Sequence, residues 1–104
     1  KTGTWKTYYE TSDKVLMEAL YEKGLLNGIQ KQFFESGGIL TEGQMVNNLR
    51  EGEWNWYTES GSNESKVSFK QNKKNGIQTM WNEDGDKLKE EYYENGKFVK
   101  VVVF

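Results

Sequence analysis

Apolar and polar residues alternate in several short stretches of the chain, most clearly at 17–22 and 65–70. The more apolar, odd-numbered set in these stretches is Met17, Ala19, Tyr21, Ser65, Val67 and Phe69. Successive side chains of a β-strand point to opposite faces, so a period of two predicts strands with one apolar face. Between such stretches the chain is rich in Gly, Asn and Ser, which favour turns. The pattern therefore predicts strands joined by tight turns.

The pattern itself recurs about every 24 residues. Four glycines are spaced by 25, 24 and 24 residues, and each is followed after five positions by an aromatic ring and after seven by a glutamate. The columns are Gly3, Gly28, Gly52 and Gly76; Tyr8, Phe33, Tyr57 and Trp81; and Glu10, Glu35, Glu59 and Glu83. A fixed period of this length is the signature of a repeat protein, whose units bury apolar side chains only against their neighbours. We therefore expect the aromatic column Tyr8, Phe33, Tyr57 and Trp81, which we call the ring column, to stack from repeat to repeat.

The second half of each unit adds two further columns. An apolar residue stands seven positions before the next repeat glycine or its expected place, and a small residue precedes it by two positions in three of the four units. These columns are Tyr21, Met45, Phe69 and Tyr93, and Ala19, Gly43 and Val67, with Glu91 in the last unit. Both columns continue the alternation, so they extend the predicted strands.

Two turns divide each unit. The first follows the glutamate column, and the second ends the unit with residues that accept left-handed backbone geometry. The turn residues are Gly37, Gly61 and Gly85 in the first, and Lys23-Gly24, Asn47-Asn48, Asn72 and Asn95-Gly96 in the second. Each unit is thus predicted to be a β-hairpin. The fold class is all-β: an open, elongated antiparallel β-meander of about eight strands, roughly 35–40 Å across at about 4.8 Å per strand.

We expect residues 1–104 to form a single repeat domain. Its repeats are assigned to about 3–27, 28–51, 52–75 and 76–98, and a C-terminal strand to 98–104. This last stretch is strongly β-prone and has no charged residue after Lys100. It either closes the last edge of the sheet or offers an exposed strand that recruits a partner by strand addition.

The composition excludes several classes of function. The sequence has no Cys and no His, which removes disulfides, thiolate and imidazole nucleophiles and the usual zinc or haem ligands. A net charge of −2 argues against a nucleic-acid partner, because phosphate binding needs a clustered basic face. Aromatic residues make up 14% of the chain and there is no Pro, which suits a strand-rich core. No catalytic residue, metal or cofactor is predicted.

The compartment stays open at this stage. The chain begins at Lys1 with a repeat already under way by Gly3. We expect that an upstream segment has been removed, either as a signal peptide or by trimming of a longer chain. A bacterial cytoplasmic protein and an exported or periplasmic one are both compatible with the sequence, since the absence of Cys fits either compartment.

With its columns aligned, the unit resembles the MORN repeat, and more closely a bacterial variant with the pattern G-x-W-x-x-Y-Y-E-x-G-x-L-x-x-E-x-x-Y-x-N-G-x-x-x-G. The resemblance spans nearly the whole chain. It rests on Gly3-Thr4-Trp5, Tyr8-Tyr9-Glu10, Gly28, Phe33-Phe34-Glu35-Ser36-Gly37, Leu40, Glu42, Gly52-Glu53-Trp54, Tyr57, Glu59-Ser60-Gly61, Gly76, Trp81, Glu83-Asp84-Gly85, Leu88, Glu90, Tyr93 and Asn95-Gly96.

The resemblance implies an open antiparallel sheet used as a non-enzymatic scaffold for protein–protein interaction. Bacterial proteins of this type look like the antitoxin or immunity partner in toxin systems, so a toxin is one expected protein partner. Other MORN repeats are linked to membrane-surface attachment, which gives the alternative of a membrane-surface or cell-envelope module, although the charge of this chain does not support it. The resemblance brings no catalytic set, and the oligomeric state stays open.

Five aromatic residues on the face opposite the ring column are the candidates for partner binding: Trp5, Tyr9, Phe34, Trp54 and Trp56. Trp and Tyr give a large contact area at a low entropic cost, which favours an adhesive patch. The alternative is that these rings cover the second face of a thin sheet by packing on one another, because large exposed apolar patches are uncommon on monomers.

Three charged groups have simpler interpretations as turns. The glutamate column suggests the paired carboxylates of glycosidases, but its place before each turn is what the repeat itself produces. Residues 82–86 are acidic without the spacing of a calcium loop. Lys70, Lys73 and Lys74 offer contacts to acidic lipid or protein, yet three lysines fall short of a polybasic lipid site and also serve to protect a turn.

Overall fold

The structure, a computed structural model, describes residues 2–8 and 14–104. Its strands are β1 (Gly3–Tyr8), β2 (Val15–Glu22), β3 (Leu25–Leu26), β4 (Gly28–Phe33), β5 (Ile39–Val46), β6 (Leu49–Tyr57), β7 (Asn63–Lys70), β8 (Lys73–Trp81), β9 (Lys87–Glu94) and β10 (Lys97–Val103). All of them belong to one antiparallel sheet in the order β1-β2-β4-β5-β6-β7-β8-β9-β10, with β3 paired to β2. The residues described include no helix that could cross a membrane. The predicted open all-β meander is confirmed, and its longest dimension is 41 Å.

Both predicted kinds of turn are present. Between repeats, two-residue turns place both residues at positive φ, as a type I′ turn requires. These pairs are Lys23-Gly24, Asn47-Asn48, Gln71-Asn72 and Asn95-Gly96. Within repeats, the turn glycines Gly37, Gly61 and Gly85 also have positive φ, and each N–H donates to a carbonyl three residues earlier at 2.9–3.1 Å. The small and amide residues therefore set the hairpins.

Each of the last three turns between repeats is hydrogen-bonded to the segment that follows the previous such turn, in what we term the turn ladder. The backbone bonds run from Asn48 to Leu26, Asn72 to Arg50 and Gly96 to Lys74, at 3.0, 2.9 and 2.7 Å. A second set of bonds joins a side-chain oxygen to the backbone N–H 20 residues later: Asn27 to Asn47, Glu51 to Gln71 and Asn75 to Asn95, at 3.0, 3.1 and 3.0 Å. The same bonds thus fix successive repeats in one register.

The repeat glycines lie where this register is interrupted. Between β5 and β6, Glu42 pairs with Asn55 and Gln44 with Glu51, so β6 accommodates two extra residues around Gly52. Gly52 has a φ of +74°, a conformation that glycine adopts without steric cost. The corresponding interruption at Gly28 separates β3 from β4. The eight hairpin strands of the prediction become ten through this division and through β10.

The two faces of the sheet are buried to different degrees. Residues paired directly across strands share a face. We call the face that carries Trp54, Val67 and Phe69 the front face and the opposite one the back face. Among the described residues, the buried hydrophobic ones all lie on the front face: Ala19, Met45, Trp54, Val67 and Phe69. The core is therefore formed by the alternating residues of the second strands together with Trp54.

The ring column behaves differently from our expectation that it stacks as the core. Its members lie on the back face, where Tyr8 is 51% exposed and Phe33, Tyr57 and Trp81 are half-buried. The strand register shifts immediately before each of the four rings. Each ring also stands at the end of its strand, beside the hairpin turn, so neighbouring strands cover it only in part. The alternation of apolar and polar residues predicts which face a ring lies on, but not that a ring at the end of a strand is buried less.

Candidate functional site

Trp54 occupies the centre of the front face. It is 5% exposed and belongs to one buried cluster with Met45, Val67 and Phe69. Its indole N–H donates to the carbonyl of Gln44 at 3.0 Å. The ring lies against the backbone of Gly43 so closely that a β-carbon there would overlap it. The absence of a side chain on β5 thus creates the space for an indole from β6.

Trp56 extends this cluster to the surface. Its ring centroid is 6.4 Å from that of Trp54, and the residue is half-buried. Two shallow grooves meet at Trp56 and Arg50, which line both of them. The first groove has a volume of about 330 Å³ and the second about 290 Å³. Trp56 therefore offers part of an aromatic ring to anything that occupies either groove.

Two cations border the grooves. The Arg50 guanidinium lies 4.3 Å from the centroid of the Phe69 ring, and the Lys74 ammonium lies 4.9 Å from that of Tyr93. Both geometries are within the range of cation–π attraction. The aliphatic stems cover ring surface while the charged ends stay at the groove. The front face thus combines an aromatic floor with two positive charges.

Amide and hydroxyl side chains complete the walls of the grooves. Gln30, Gln32, Thr41 and Asn72 line the first groove, and Gln78 lines the second. They can donate or accept hydrogen bonds. The titratable groups that line the grooves are Arg50, Lys74 and Glu64. The remaining lining is aromatic, aliphatic or uncharged polar, so the site is suited to recognition by contact area and hydrogen bonding.

Comparison with protein families finds three matches to the MORN repeat variant, over residues 26–47, 50–71 and 74–95. The chain belongs to this family. The matched stretches follow one another at 24-residue intervals and begin two residues before Gly28, Gly52 and Gly76. No curated protein and no solved structure matches the chain. MORN repeats are non-catalytic modules that commonly serve in protein interaction or membrane association.

The MORN sheet brings together only some of the five aromatic candidates. Trp54 and Trp56 are in contact, with Trp54 in the core and Trp56 at the surface. Trp5 is 48% exposed and packs edge-on against Tyr21 at 6.4 Å, four strands away from β6. Phe34 is half-buried in the turn after β4. Tyr9 lies outside the described residues.

The glutamate column of the MORN units points to no shared site. Glu35, Glu59 and Glu83 occupy exposed turns, and Glu10 lies outside the described residues. In the acidic turn at 82–86, Asn82 Oδ1 accepts bonds from the N–H groups of Asp84 and Asp86, each at 3.0 Å. Within residues 2–8 and 14–104, no group of three or more carboxylates is arranged to hold a metal ion.

The three candidate lysines are divided between the faces. Lys70 and Lys73 pair across the Gln71-Asn72 turn and are exposed. Lys74 pairs with Phe69, so it belongs to the front face, and its Nζ donates to Gln78 Oε1 at 2.9 Å. The lysine cluster of the sequence is therefore not a single basic surface.

One polar contact stands out on the back face. The Tyr57 hydroxyl donates to Glu42 Oε1 at 2.9 Å. Partial burial raises the pKa of Tyr57 above its ordinary value of 10.0, and the hydrogen bond and negative charge of Glu42 raise it further. The contact links adjacent repeats, since Glu42 lies on β5 and Tyr57 on β6.

Sequence reasoning missed Arg50 and Lys74 as a pair. They occupy one column of the repeat together with Leu26 and Phe98, each two residues before a repeat glycine or its expected place. Aligning every column, and not only the aromatic and acidic ones, reveals two cations 24 residues apart. Their position above rings was not accessible from the sequence, because it depends on which face is buried.

Proposed function

We propose that this chain is a non-enzymatic MORN scaffold that binds another protein through the front-face grooves around Trp56. The observation that carries the proposal is the position of Trp56, whose half-buried ring lies where the two grooves meet. Partly exposed Trp residues backed by a packed cluster are typical anchors of protein interfaces. The amide groups around the ring supply hydrogen bonds at its rim.

The back face is a poorer candidate for the same role. Its groove at the second and third repeats contains Glu42, Glu51 and Glu53 beside Lys31, and no aromatic ring lines it. Ion pairs also occupy this face, such as Lys6 with Glu18 and Lys66 with Glu53. Charged surfaces of this kind are typical of solvated faces and less so of interface centres, which are depleted in charge.

Site-specific photo-crosslinking in the source cell tests the choice of face. A photoreactive phenylalanine analogue replaces Trp56 in one variant and Ile77, which is 39% exposed on the back face, in the control. We expect a discrete crosslinked protein from position 56 and none from position 77. Equal crosslinking from both positions, or none from position 56 in a folded variant, would contradict the proposal.

A toxin is the specific partner that the resemblance to bacterial MORN variants suggests, and we propose it as the first to test. Co-expression with the toxic product of a neighbouring gene should restore growth with the natural chain and not with Trp56→Ala. The membrane alternative makes a different prediction: sedimentation with anionic vesicles in the absence of any protein partner. Vesicle binding without crosslinking to protein would favour that alternative.

A further inference from the structure

We propose that the partner segment in the front-face grooves is acidic and places carboxylates on Arg50 and Lys74. This inference rests on the proposed function, because it names the chemistry of the protein that occupies those grooves. Arg50 lies at the start of β6 and Lys74 at the start of β8, in equivalent positions of successive repeats. Two strand spacings separate them, about 10 Å at about 4.8 Å per strand.

Both cations are held in place by neutral groups. Arg50 Nε donates to Asn72 Oδ1 at 2.8 Å, and Lys74 Nζ donates to Gln78 Oε1 at 2.9 Å. The rings of Phe69 and Tyr93 lie beneath them. In the part of the chain that the structure describes, neither cation forms an ion pair with a carboxylate.

Four other lysines of the sheet are already neutralised by carboxylates. Nitrogen–oxygen distances of 3.1–3.9 Å join them to glutamates: Lys6 to Glu18, Lys66 to Glu53, Lys87 to Glu90 and Lys89 to Glu91. Arg50 and Lys74 differ in having only neutral hydrogen-bond partners, although both are half-buried and line the front-face grooves. The exposed Glu64 also lines the second groove, so Arg50 and Lys74 leave that groove with a net positive charge that a ligand has to complement.

Their unused donors point to carboxylates. Arg50 uses Nε for Asn72, so its two terminal nitrogens still have donors, which together can bind one carboxylate. Lys74 uses one of its three N–H donors. Both cations line the second groove, and Arg50 also lines the first. A segment that follows the grooves across the strands therefore meets the two charges in succession.

The floor between the cations favours a protein segment over a phosphate surface. Trp56, Val67 and Phe69 line the second groove together with Arg50 and Lys74. Anionic membranes are bound by clusters of about four to eight basic residues, whereas this groove presents two. A peptide can satisfy both features, because acidic side chains about 10 Å apart can alternate with apolar ones. Two turns of a helix cover about this distance, at 1.5 Å per residue.

The test is selection from a random peptide library displayed on phage, with the natural chain as bait. We expect recovered peptides to be enriched in Asp and Glu. Each of Arg50→Gln and Lys74→Gln should weaken a synthesised acidic peptide about tenfold, because each removes charge-assisted hydrogen bonds. The control for the double variant Arg50→Gln/Lys74→Gln is Lys70→Gln with Lys73→Gln, which removes the same two charges from the neighbouring turn and should change affinity less than about threefold.

A conservative variant guards against loss of folding. Arg50→Lys keeps the charge but loses the paired terminal nitrogens, so its affinity should lie between those of the natural chain and Arg50→Gln. Near-ultraviolet circular dichroism checks that the Trp54 environment persists in every variant. The peptide with Asp and Glu replaced by Asn and Gln should not bind. Affinity for the acidic peptide should also fall as salt is raised, which tests the charge contribution in the unmodified chain.

The outcomes separate the two proposals. Peptides that depend on Trp56 but lack acidic enrichment, or that bind the Arg50→Gln/Lys74→Gln chain equally well, would overturn the acidic partner while leaving protein binding intact. No recovered peptide, or binding that is unaffected by Trp56→Ala, would overturn the groove as a protein site and both proposals with it. Binding of phosphatidylglycerol vesicles that is lost in the same double variant, with no acidic peptide recovered, would assign the cations to a membrane instead.

Discussion

The junctions β5–β6 and β7–β8 join successive repeats, and they fill the space between their strands in different ways. At the first, Gly43 lies against Trp54, and at the second, Val67 pairs with Gln78. The β5–β6 junction thus combines a residue without a side chain and a very large one, whereas the β7–β8 junction combines two side chains of intermediate size. Trp54, Val67 and Gln78 are all buried. What the repeat maintains is the filled space between strands, and not the residue type in either column.

The junctions also differ in the polar bonds that accompany this packing. Trp54 donates to the backbone at Gln44, whereas Gln78 accepts from Lys74 within its own strand. The first junction therefore depends on one large ring, and the second on two smaller side chains, of which Gln78 is hydrogen-bonded to Lys74. We expect the β5–β6 junction to be the more sensitive to substitution.

Removing the large member should have the greatest effect. Trp54→Ala leaves a cavity in the Met45, Val67 and Phe69 cluster, and burial of Trp is typically worth about 3–5 kcal/mol in such a substitution. Urea unfolding measures the loss. Val67→Ala at the second junction removes fewer atoms and should cost less; an equal or greater loss there would reverse the proposed order of the junctions.

Adding a side chain at Gly43, the small member of the β5–β6 pair, should cause the next largest loss of stability. Gly43→Ala introduces a β-carbon that overlaps the indole of Trp54, and overpacking of this kind costs about 1–3 kcal/mol. Gly38→Ala is the control, because the nearest atom to its β-carbon is 3.8 Å away, and it should change stability by less than about 0.5 kcal/mol. Similar losses in both variants would mean that the glycine backbone, and not the ring contact, is responsible.

The two junctions can be exchanged by a double substitution. Gly43→Val with Trp54→Gln places the residue types of the β7–β8 junction into β5–β6. The double variant should be more stable than the sum of its single variants predicts, with a coupling energy of about 1–2 kcal/mol, because each change compensates the volume of the other. Strict additivity in a thermodynamic cycle would show that the two positions do not share one space.

The smallest expected effect concerns the contact between Tyr57 and Glu42 across the β5–β6 junction. Tyr57→Phe removes one hydrogen bond and should cost about 1 kcal/mol at neutral pH. The pKa of Tyr57 is raised in the folded chain, so this stabilisation is complete below about pH 10 and is lost as the pH rises through the raised pKa. The natural chain and the variant should therefore converge in stability at alkaline pH.

A matched substitution separates this contact from a general effect of removing a hydroxyl. Tyr8→Phe alters a ring that is 51% exposed and should change stability by less than about 0.5 kcal/mol. A difference between the natural chain and Tyr57→Phe that widens above pH 10 would contradict the assigned direction of the pKa shift.

The sequence predicted the hairpins well because their determinants are local. Positive φ at Asn95-Gly96 and Gly61 follows from residue types that tolerate it, and the 24-residue spacing sets the order of strands. The division of one strand at Gly28 was not predicted, since the extra residues there become apparent only when β2 and β4 pair. Local signals thus determined the elements, and pairing determined their interruptions.

The buried face was harder to predict for a physical reason. Aromatic residues occur on both faces of the strands, which alternate with a period of two. From the sequence alone, Tyr57 and Trp54 therefore appear equally suited to a core. Their exposure is decided by the register shift before Tyr57 and by the missing side chain of Gly43, which lies on a different strand. The candidate site inherits the same difficulty: Trp56 was named among five aromatic residues, but the grooves around it follow from packing between repeats.

The turn ladder has a mechanical consequence. The bonds of the turn ladder join each repeat only to the next. Tension applied at the two chain ends would therefore act across the strands and separate the repeats one after another. Every 24-residue unit released in this way would replace the about 10 Å spanned by its two strands with roughly 80 Å of extended chain, at about 3.3–3.6 Å per residue. The protein would therefore extend under load in even steps, with the remaining hairpins keeping their register until their own turn is reached.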